Sequence, residues 1–131
     1  MVVFPCAKIN LGLNIVARRS DGYHDLETVF YPIPLHDNLE VVSAPNATQP
    51  CLLHETGIQL DGMPENNLVV KVYHQLREDY AHIPPIEVWL HKRIPSGAGL
   101  GGGSSDAAFM MRLLNEQYAL DMTDEDIEFR L

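Results

Sequence analysis

The stretch PSGAGLGGGSSDAA, from Pro95 to Ala108, holds five glycines between Gly97 and Gly103. It follows the alternating segment IEVWLHK (86–92), which predicts a strand, and it precedes apolar residues at helical spacing. A helix N-terminus presents unpaired N–H groups and the positive end of the helix dipole, and glycines before it let the backbone approach an anion closely. The stretch therefore predicts a phosphate cradle. A flexible linker is the alternative, but a linker is not typically enclosed so tightly between strand and helix signals.

Two other glycine motifs fit this stretch less well. Gly97-x-Gly99-x-x-Gly102 matches the dinucleotide fingerprint formally, but that fingerprint directly follows the first strand of its fold and needs an acidic residue at the end of a second strand. Here Pro95 intervenes, several strands are predicted earlier, and none is predicted afterwards. A Walker loop requires Gly-Lys-Ser/Thr, which the stretch lacks.

The composition is that of an ordinary globular domain. The chain has 131 residues, 46% of them hydrophobic and 21% charged, which is enough for one domain with its own core. A net charge of −9 argues against a nucleic-acid partner, and no apolar run approaches the length that spans a membrane. The N-terminus lacks the features of a signal peptide, and Cys6 and Cys51 have no metal-binding spacing. We therefore expect reduced thiols in a cytoplasmic protein.

The charge balance reverses around the glycine run. Lys92, Arg93 and Arg112 lie near it in sequence, and Asp106 is the acidic residue among them. A locally cationic loop in an acidic protein indicates a small anionic ligand.

Earlier parts of the chain read as strands followed by a helix. Alternating apolar residues predict strands within 11–15, 26–33 and 38–44, with a turn over Pro34–Asp37, and a weaker strand region lies between Cys51 and Leu60 with a break near Gly57. A helix follows, capped by Asn66 or Asn67. Its apolar face comprises Val69, Val72, Tyr73, Leu76 and Tyr80.

The last part of the chain predicts two more helices. The first begins after the glycine run and buries Ala107, Met111, Leu114 and Tyr118. Thr123, followed by three acids, is an N-terminal capping signature. Only about two helical turns follow it, so we expect the chain to be the front part of a longer protein.

Three stretches resemble the GHMP kinases, in the right order. PSGAGLGGGSSDAA is similar to their phosphate loop, AKINLGLNIVARRSDGYHDLETVF (7–30) to an N-terminal motif, and ENNLVVKV (65–72) to a segment that contacts adenosine. The resemblance runs from about Pro5 to the last residue. The version of the loop with extra glycine resembles that of the members whose acceptor is a cytidine diphosphate-linked sugar alcohol of non-mevalonate isoprenoid biosynthesis.

This resemblance implies an α+β fold, that of the GHMP kinase N-terminal domain. It is a ribosomal-protein-like fold with a left-handed βαβ crossover, although the general rule favours the right hand. Residues 1–131 would form an incomplete N-terminal domain that binds ATP and substrate, with the C-terminal ferredoxin-like domain absent. The implied activity is transfer of the γ-phosphoryl group of ATP to a hydroxyl of the acceptor. Oligomeric state does not follow from the sequence.

The resemblance also assigns residues to the acceptor site. Lys8 would be catalytic, favouring deprotonation of the acceptor hydroxyl, although a surface lysine of an edge strand is the alternative. Asn10 would help to position the acceptor. In the sequence DGYH, Tyr23 would stack on cytosine and His24 would recognise its edge, whereas packing within a turn is the alternative.

The ATP site implied by the resemblance has three parts. Asn66, Asn67 and Leu68 would border the adenine, and helix capping is the alternative for the asparagines. Lys92 would lie beside the nucleotide, whereas a solvated strand end is the alternative. Residues expected to surround the triphosphate are Pro95, Gly97, Gly99, Leu100, Gly101, Gly102, Gly103, Ser104 and Ser105. Mg²⁺ would arrive with ATP and contact Ser105, and Asp106 reads as a helix-start acid rather than a catalytic base.

One departure from the family pattern limits the expected activity. The family's catalytic aspartate lies in a Gly-x-Asp-x-Pro-like segment, which these residues do not contain, and we assign that role to none of Asp121, Asp124 and Asp126. We expect the 131 residues alone to be inactive. Two alternatives remain: a GHMP kinase with another small alcohol substrate, and a non-catalytic nucleotide-binding module.

Overall fold

The computed structural model describes residues 1–18, 24–59, 63–95 and 101–131, and of residues 9–18 and 24–31 it describes the backbone. The strands are β1 (Val2–Val3), β2 (Cys6–Arg18), β3 (His24–His36), β4 (Asn38–Ser43), β5 (Cys51–Gly57) and β6 (Ile86–Lys92). The helices are α1 (Leu68–Asp79), α2 (Gly102–Gln117) and α3 (Asp124–Arg130), and a 3₁₀ turn, Pro64–Asn66, precedes α1. No helix in the described ranges is both long and apolar enough to cross a bilayer.

The described strands form two sheets. One is four-stranded, with the order β1-β4-β6-β5, and the other is the antiparallel pair β2–β3. Within the larger sheet, β4 pairs antiparallel with β6, whereas β5 pairs parallel with β6. A parallel pair requires a crossover, which α1 provides between β5 and β6. This β5–α1–β6 unit is the crossover implied by the resemblance, and its left hand stays a prediction.

The core lies between the helices and one face of the larger sheet. Alternate strand residues point toward it, so Leu39, Val41, Val88 and Leu90 are buried together with Tyr73, Leu76, Met110, Met111 and Leu114 of the helices. The opposite face carries the intervening residues, of which Val42 and Trp89 are exposed. The helical faces of α1 and α2 expected from the sequence are therefore confirmed, with Tyr80 and Tyr118 packed at the margin of this core.

The turn expected over Pro34–Asp37 is wrong. β3 continues to His36, and Asp37 is the residue between β3 and β4. The pairing of β2 with β3 has a register shift between Cys6 and Lys8, and Pro34 falls on the partner strand within that shift. Because an irregular position needs no N–H donor from the strand, a proline is accommodated there.

Candidate functional site

Two glycines let the start of α2 approach the strands closely. Gly101 is the N-cap residue, with a φ of 68°, and an added Cβ there would lie 3.3 Å from Cε of Lys8. At Gly102, an added Cβ would lie 2.7 Å from Cγ2 of Ile94, which follows β6. Glycine is favoured at position 101 by its left-handed φ, and at position 102 because a side chain would push the helix start away from Ile94.

A buried triad lies beneath the helix start, formed by Asp37, Lys92 and Asp106. The Lys92 ammonium donates to Oδ2 of Asp37 at 2.5 Å and to Oδ2 of Asp106 at 2.8 Å. Exposure is 0% for Asp37 and 3% for both Lys92 and Asp106. Lys92 precedes the glycine run and Asp106 follows it, so this lysine joins the two sides of the run.

Asp37 also holds the backbone at the end of β6. Its Oδ1 accepts from the N–H of Arg93 at 2.7 Å and from the N–H of Ile94 at 2.9 Å. The N–H of Asp37 itself donates to the carbonyl of Pro5 at 2.8 Å, just before β2 begins. One residue therefore connects the start of β2, which carries Lys8, with the strand end that leads into the glycine run.

Burial and neighbouring charges decide the protonation of the triad. Burial raises the pKa of Asp106 to about 7, the neighbouring Asp37 carboxylate adds to this, and the Lys92 ammonium opposes it. Burial also acts to raise the pKa of Asp37, but hydrogen bonds from Asp106, Lys92 and two backbone N–H groups outweigh it, so that pKa is lowered. Burial acts to lower the pKa of Lys92, yet the two carboxylates outweigh it and raise that pKa. Near neutral pH the triad therefore approaches one ammonium, one carboxylate and one partly protonated acid.

An open groove of about 690 Å³ runs along α2 from this helix start. It brings Lys8 of β2 together with Ser104 and Ser105 of the first turn of α2. The other lining residues are apolar or cationic at most positions: Cys6, Leu68, Lys71, Val72, Gln75, Ala107, Ala108, Phe109, Met111, Arg112, Arg130 and Leu131. Among the side chains that the structure describes, no Asp or Glu lines the groove, so its cations favour an anionic ligand.

Comparison with known proteins assigns this arrangement to a family. The family model described as GHMP kinases N terminal domain matches residues 67–129. The 4-diphosphocytidyl-2-C-methyl-D-erythritol kinase of Bacteroides fragilis (strain YCH46) is 56% identical over 128 residues, which are 98% of this chain and 46% of that protein. The enzyme of the same name from Porphyromonas gingivalis is 50% identical over 127 residues, covering 97% of this chain and 45% of that protein.

The chain has the fold of the GHMP kinase N-terminal domain, and nearly its whole length is similar to members of that family. A crystal structure of 4-(cytidine 5'-diphospho)-2C-methyl-D-erythritol kinase superposes with a TM-score of 0.78 at 36% identity, covering 97% of this chain and 44% of that one. Homoserine kinase from Cytophaga hutchinsonii superposes with a TM-score of 0.70 at 18% identity, covering 97% of this chain and 38% of that one, which shows the shared fold alone. The chain thus spans somewhat less than half the length of these relatives.

The predicted adenine-border residues lie beside the helix start. Asn67 caps α1, since its Oδ1 accepts from the N–H of Val69 at 3.0 Å, and its Nδ2 donates to Oε1 of Glu55 at 2.7 Å. Asn66 ends the 3₁₀ turn. Leu68 is 43% exposed, and its Cδ1 lies 3.6 Å from the position of an added Cβ on Gly103. The capping prediction for Asn67 is confirmed, and contact with adenine stays a prediction.

Some predicted residues lie outside the described part of the chain. Tyr23, Gly97, Gly99 and Leu100 fall in the gaps, whereas Asn10 and His24 lie on strands of which the backbone is described. In β2–β3, Asn10 is opposite Phe30 and His24 is opposite Arg18. Pro95 follows Ile94 at the end of the described segment. The predicted roles of all these residues in binding stay predictions.

Two acids differ from what the sequence indicated. Asp106 does not act as a helix-start acid, because it lies in the second turn of α2 and its carboxylate faces Lys92. The sequence predicts a turn at Asp37 and indicates no role for this residue in the site. Lys92 does not end its strand in solvent, since its ammonium is buried between these two carboxylates. The sequence holds one indication of the triad: Asp37 immediately precedes an apolar strand, and Lys92 ends another.

The residues present fit a magnesium ion that arrives with ATP. Among the described residues there is no group of three or more His, Cys, Asp and Glu side chains that could hold a metal by themselves. Ser105 lines the groove and could be a ligand. The nearby carboxyl groups of Asp37 and Asp106 already accept hydrogen bonds from the Lys92 ammonium. A hydroxyl together with phosphate oxygens is a normal set of ligands for Mg²⁺.

Proposed function

We propose that the chain supplies the ATP- and acceptor-binding part of a kinase that phosphorylates the 2-hydroxyl of 4-diphosphocytidyl-2-C-methyl-D-erythritol in isoprenoid precursor biosynthesis. The observation that carries this proposal is the groove that unites Lys8 with Ser104 and Ser105 at the N-terminus of α2. The identity of 56% to a relative with that name supports the choice of acceptor. We propose further that residues 1–131 belong to an N-terminal domain over which a ferredoxin-like domain closes.

In this proposal the helix start binds the triphosphate of ATP. The first helical hydrogen bond runs from the N–H of Ser105 to the carbonyl of Gly101 at 2.9 Å, so the N–H groups of Gly102, Gly103 and Ser104 are available to phosphate oxygens. The hydroxyls of Ser104 and Ser105 add donors. Asn66, Asn67 and Leu68 border the adenine, and the loop residues Pro95, Gly97, Gly99 and Leu100 complete the cradle.

Lys8 acts on the acceptor. The acceptor hydroxyl oxygen attacks the γ-phosphorus as the bond from that phosphorus to the β,γ-bridging oxygen breaks, and ADP leaves. The proton of the hydroxyl would pass to the family's catalytic aspartate, in the Gly-x-Asp-x-Pro-like segment that these residues do not contain, and the Lys8 ammonium stabilises the negative charge that develops on the attacking oxygen. Ser105, together with phosphate oxygens, would hold Mg²⁺, which would supply positive charge to neutralise the phosphates. Catalysis then depends chiefly on positioning and charge stabilisation.

A chimera tests the reaction. Residues of this chain would replace the aligned 128 residues of the Bacteroides fragilis relative. We expect the chimera to release ADP only when both ATP and the cytidyl acceptor are present. Lys8→Met should lower kcat by about 100-fold or more, because charge stabilisation of this kind contributes several kcal/mol. Lys71→Met is the matched control, since Lys71 lines the same groove without a proposed role in the transfer, and it should keep most of the activity.

The possible outcomes separate this proposal from its alternatives. A folded chimera that does not turn over would refute the kinase function and favour a nucleotide-binding module. Turnover with another small alcohol, but not with the cytidyl acceptor, would indicate a different GHMP kinase. Within an active chimera, Tyr23→Ala and His24→Ala should raise KM for the cytidyl acceptor while KM for ATP stays unchanged.

A further inference from the structure

The buried triad is more than Lys92 needs for charge neutrality. A single carboxylate would neutralise the ammonium, yet Asp37 and Asp106 both contact it, and all three side chains are buried. Removing one member of such a buried charged group is costly, whereas replacing the whole group with apolar residues of similar size would commonly give equal or greater stability. A stabilising role alone therefore does not account for the triad.

The triad also cannot serve as an additional charge for phosphate. The Lys92 ammonium points toward two carboxylates at 2.5 and 2.8 Å, and 3% of the residue is exposed. A cation paired in this way has little field left for a ligand. What the triad does provide is a fixed distance between the end of β6 and the second turn of α2.

A second set of contacts acts on the same two elements. Asp37 holds the backbone N–H of Ile94 at 2.9 Å, and the Ile94 side chain lies directly against Gly102. Ile94 is fully buried, so it cannot move aside without disturbing the core. The position of the first residue of α2 thus depends on Asp37 through Ile94, independently of the link through Lys92 and Asp106.

We propose that Asp37, Lys92 and Asp106 are positioning residues for the nucleotide site, which hold the N-terminus of α2, with its serines and free N–H groups, against the end of β6. This inference rests on the proposed function, because the ligand of that helix start is taken to be ATP. The triad contacts no nucleotide in this scheme. Its effect on affinity comes from the preorganised direction of the N–H groups and serine hydroxyls.

A matched pair of substitutions at Asp106 tests the inference. Asp106→Leu keeps the branched shape of the side chain and leaves the Lys92–Asp37 pair, but it removes the link to α2. Asp106→Asn keeps an oxygen that accepts from Lys92 and resembles the protonated acid. We expect Leu to weaken binding of Mg²⁺ and a non-hydrolysable ATP analogue by about tenfold or more, because a misplaced binding group loses most of its contribution. Asn should remain within about threefold of the wild type, since the link is kept.

Two further measurements on the same proteins separate positioning from general stability. Binding of the analogue is measured by calorimetry, and urea unfolding should show that both variants are folded under the same conditions. Amide exchange followed by NMR without nucleotide should be faster in the Leu variant at Ser105, whose N–H bonds to Gly101, and normal in the Asn variant. This readout reports the helix start directly and does not depend on the identity of the ligand.

The inference fails if the Leu variant binds the analogue as tightly as the wild type. It also fails if Asn weakens binding as much as Leu, or if the loss follows the decrease in unfolding free energy alone. A wild-type chain that does not bind the analogue would refute the proposed nucleotide site. In that case amide exchange at Ser105 would still decide whether the triad positions the helix start.

Discussion

Asp37 has no exposed surface, and its polar contacts reach two other parts of the chain, residues 92–94 and Pro5. Its side chain accepts from Lys92, Arg93 and Ile94, which are 55, 56 and 57 residues away, and its N–H reaches Pro5. No local pattern around residue 37 could reveal these partners, because the turn chemistry of Pro-x-x-Asp is satisfied by an exposed loop equally well. Ser104, Ser105 and Lys8 could be singled out from the sequence because they lie in continuous motifs, and the structure places all three along one groove.

The protonation of Asp106 should make stability depend on pH. Its pKa is raised to about 7 in the folded state, against 3.8 ordinarily, so the folded state retains the proton while the unfolded state releases it. The free energy of unfolding should therefore decrease as pH rises from about 4 to about 7, and remain level above that. Since one pKa unit corresponds to about 1.4 kcal/mol, the decrease amounts to a few kcal/mol. Asp37, whose pKa is lowered, adds a loss of stability below its ordinary value of 3.8.

The substitution Asp106→Asn isolates the contribution of Asp106 to this pH dependence. Urea unfolding between pH 4.5 and 8 should give a flatter pH profile than the wild type, because the asparagine does not titrate. Asp121→Asn is the control, since Asp121 is exposed and its φ of 59° suits asparagine as well as aspartate. If Asp106→Asn retained the slope of the wild type, a different group would have to be responsible.

At the scale of single elements, the boundary of β5 is set by Gly57. Its φ is 83°, and an added Cβ would collide with the backbone carbonyl of Lys92. Ile58 donates to that same carbonyl at 2.9 Å, so the strand end is held closely against β6. Gly57→Ala should lower the free energy of unfolding by about 2 kcal/mol or more, since left-handed strain and a backbone clash combine.

Gly103→Ala provides the comparison. Gly103 lies within α2, where an added Cβ would meet Leu68 at an ordinary distance of 3.6 Å. Alanine favours a helix more than glycine does, so this variant should keep or gain up to about 1 kcal/mol in urea unfolding. Equal destabilisation by the two substitutions would mean that the close contact with Lys92 does not determine the strand end.

Elements with a strong local pattern were predictable. The strand 86–92 and the cap of α1 at Asn67 occur where the sequence indicates them, and the break near Gly57 is the end of β5. β1 was missed because two residues carry no periodicity, and Val2–Val3 is a strand only because β4 supplies the partner. The end of β3 was also missed, since a proline accommodated in a register shift reads as a turn.

At the scale of the molecule, Trp89 lies on the face of the larger sheet that the helices leave uncovered. It is the single tryptophan, it is 39% exposed, and its ring stacks on His54 with centroids 5.0 Å apart. At the end of the same strand, the Lys92 side chain points the other way, toward Asp37 and Asp106. We expect binding of the ATP analogue to leave Trp89 fluorescence unchanged, while unfolding changes it.

His54→Ala gives the positive control for that measurement. Removing the stacked ring should alter the tryptophan emission of the folded protein without weakening nucleotide binding. A large fluorescence change on addition of the analogue, at a constant urea midpoint, would place the nucleotide near this face and contradict the proposed site.

The overall architecture followed from the resemblance rather than from periodicity. Alternation predicts that strands exist, but the order β1-β4-β6-β5 and the parallel pairing of β5 with β6 depend on long-range packing. The glycine motif carried that information because it belongs to one family with a known arrangement. The buried triad needed the structure, since it unites residues from both sides of the motif and from the junction of β3 with β4.

The central place of β6 has a consequence for synthesis of the chain. β4 and β5 both pair with β6, so until Lys92 has left the ribosome β5 has no partner in the larger sheet and β4 has only β1. At a translation rate of about 5–20 residues per second, roughly two to seven seconds pass between the emergence of Gly57 and that of Lys92, when β5 can pair with β6. During that interval the facing edges of β4 and β5 are open to chaperones or to a neighbouring nascent chain. The link between the end of β6 and α2 forms later still, when Asp106 emerges and its carboxyl group accepts a hydrogen bond from Lys92.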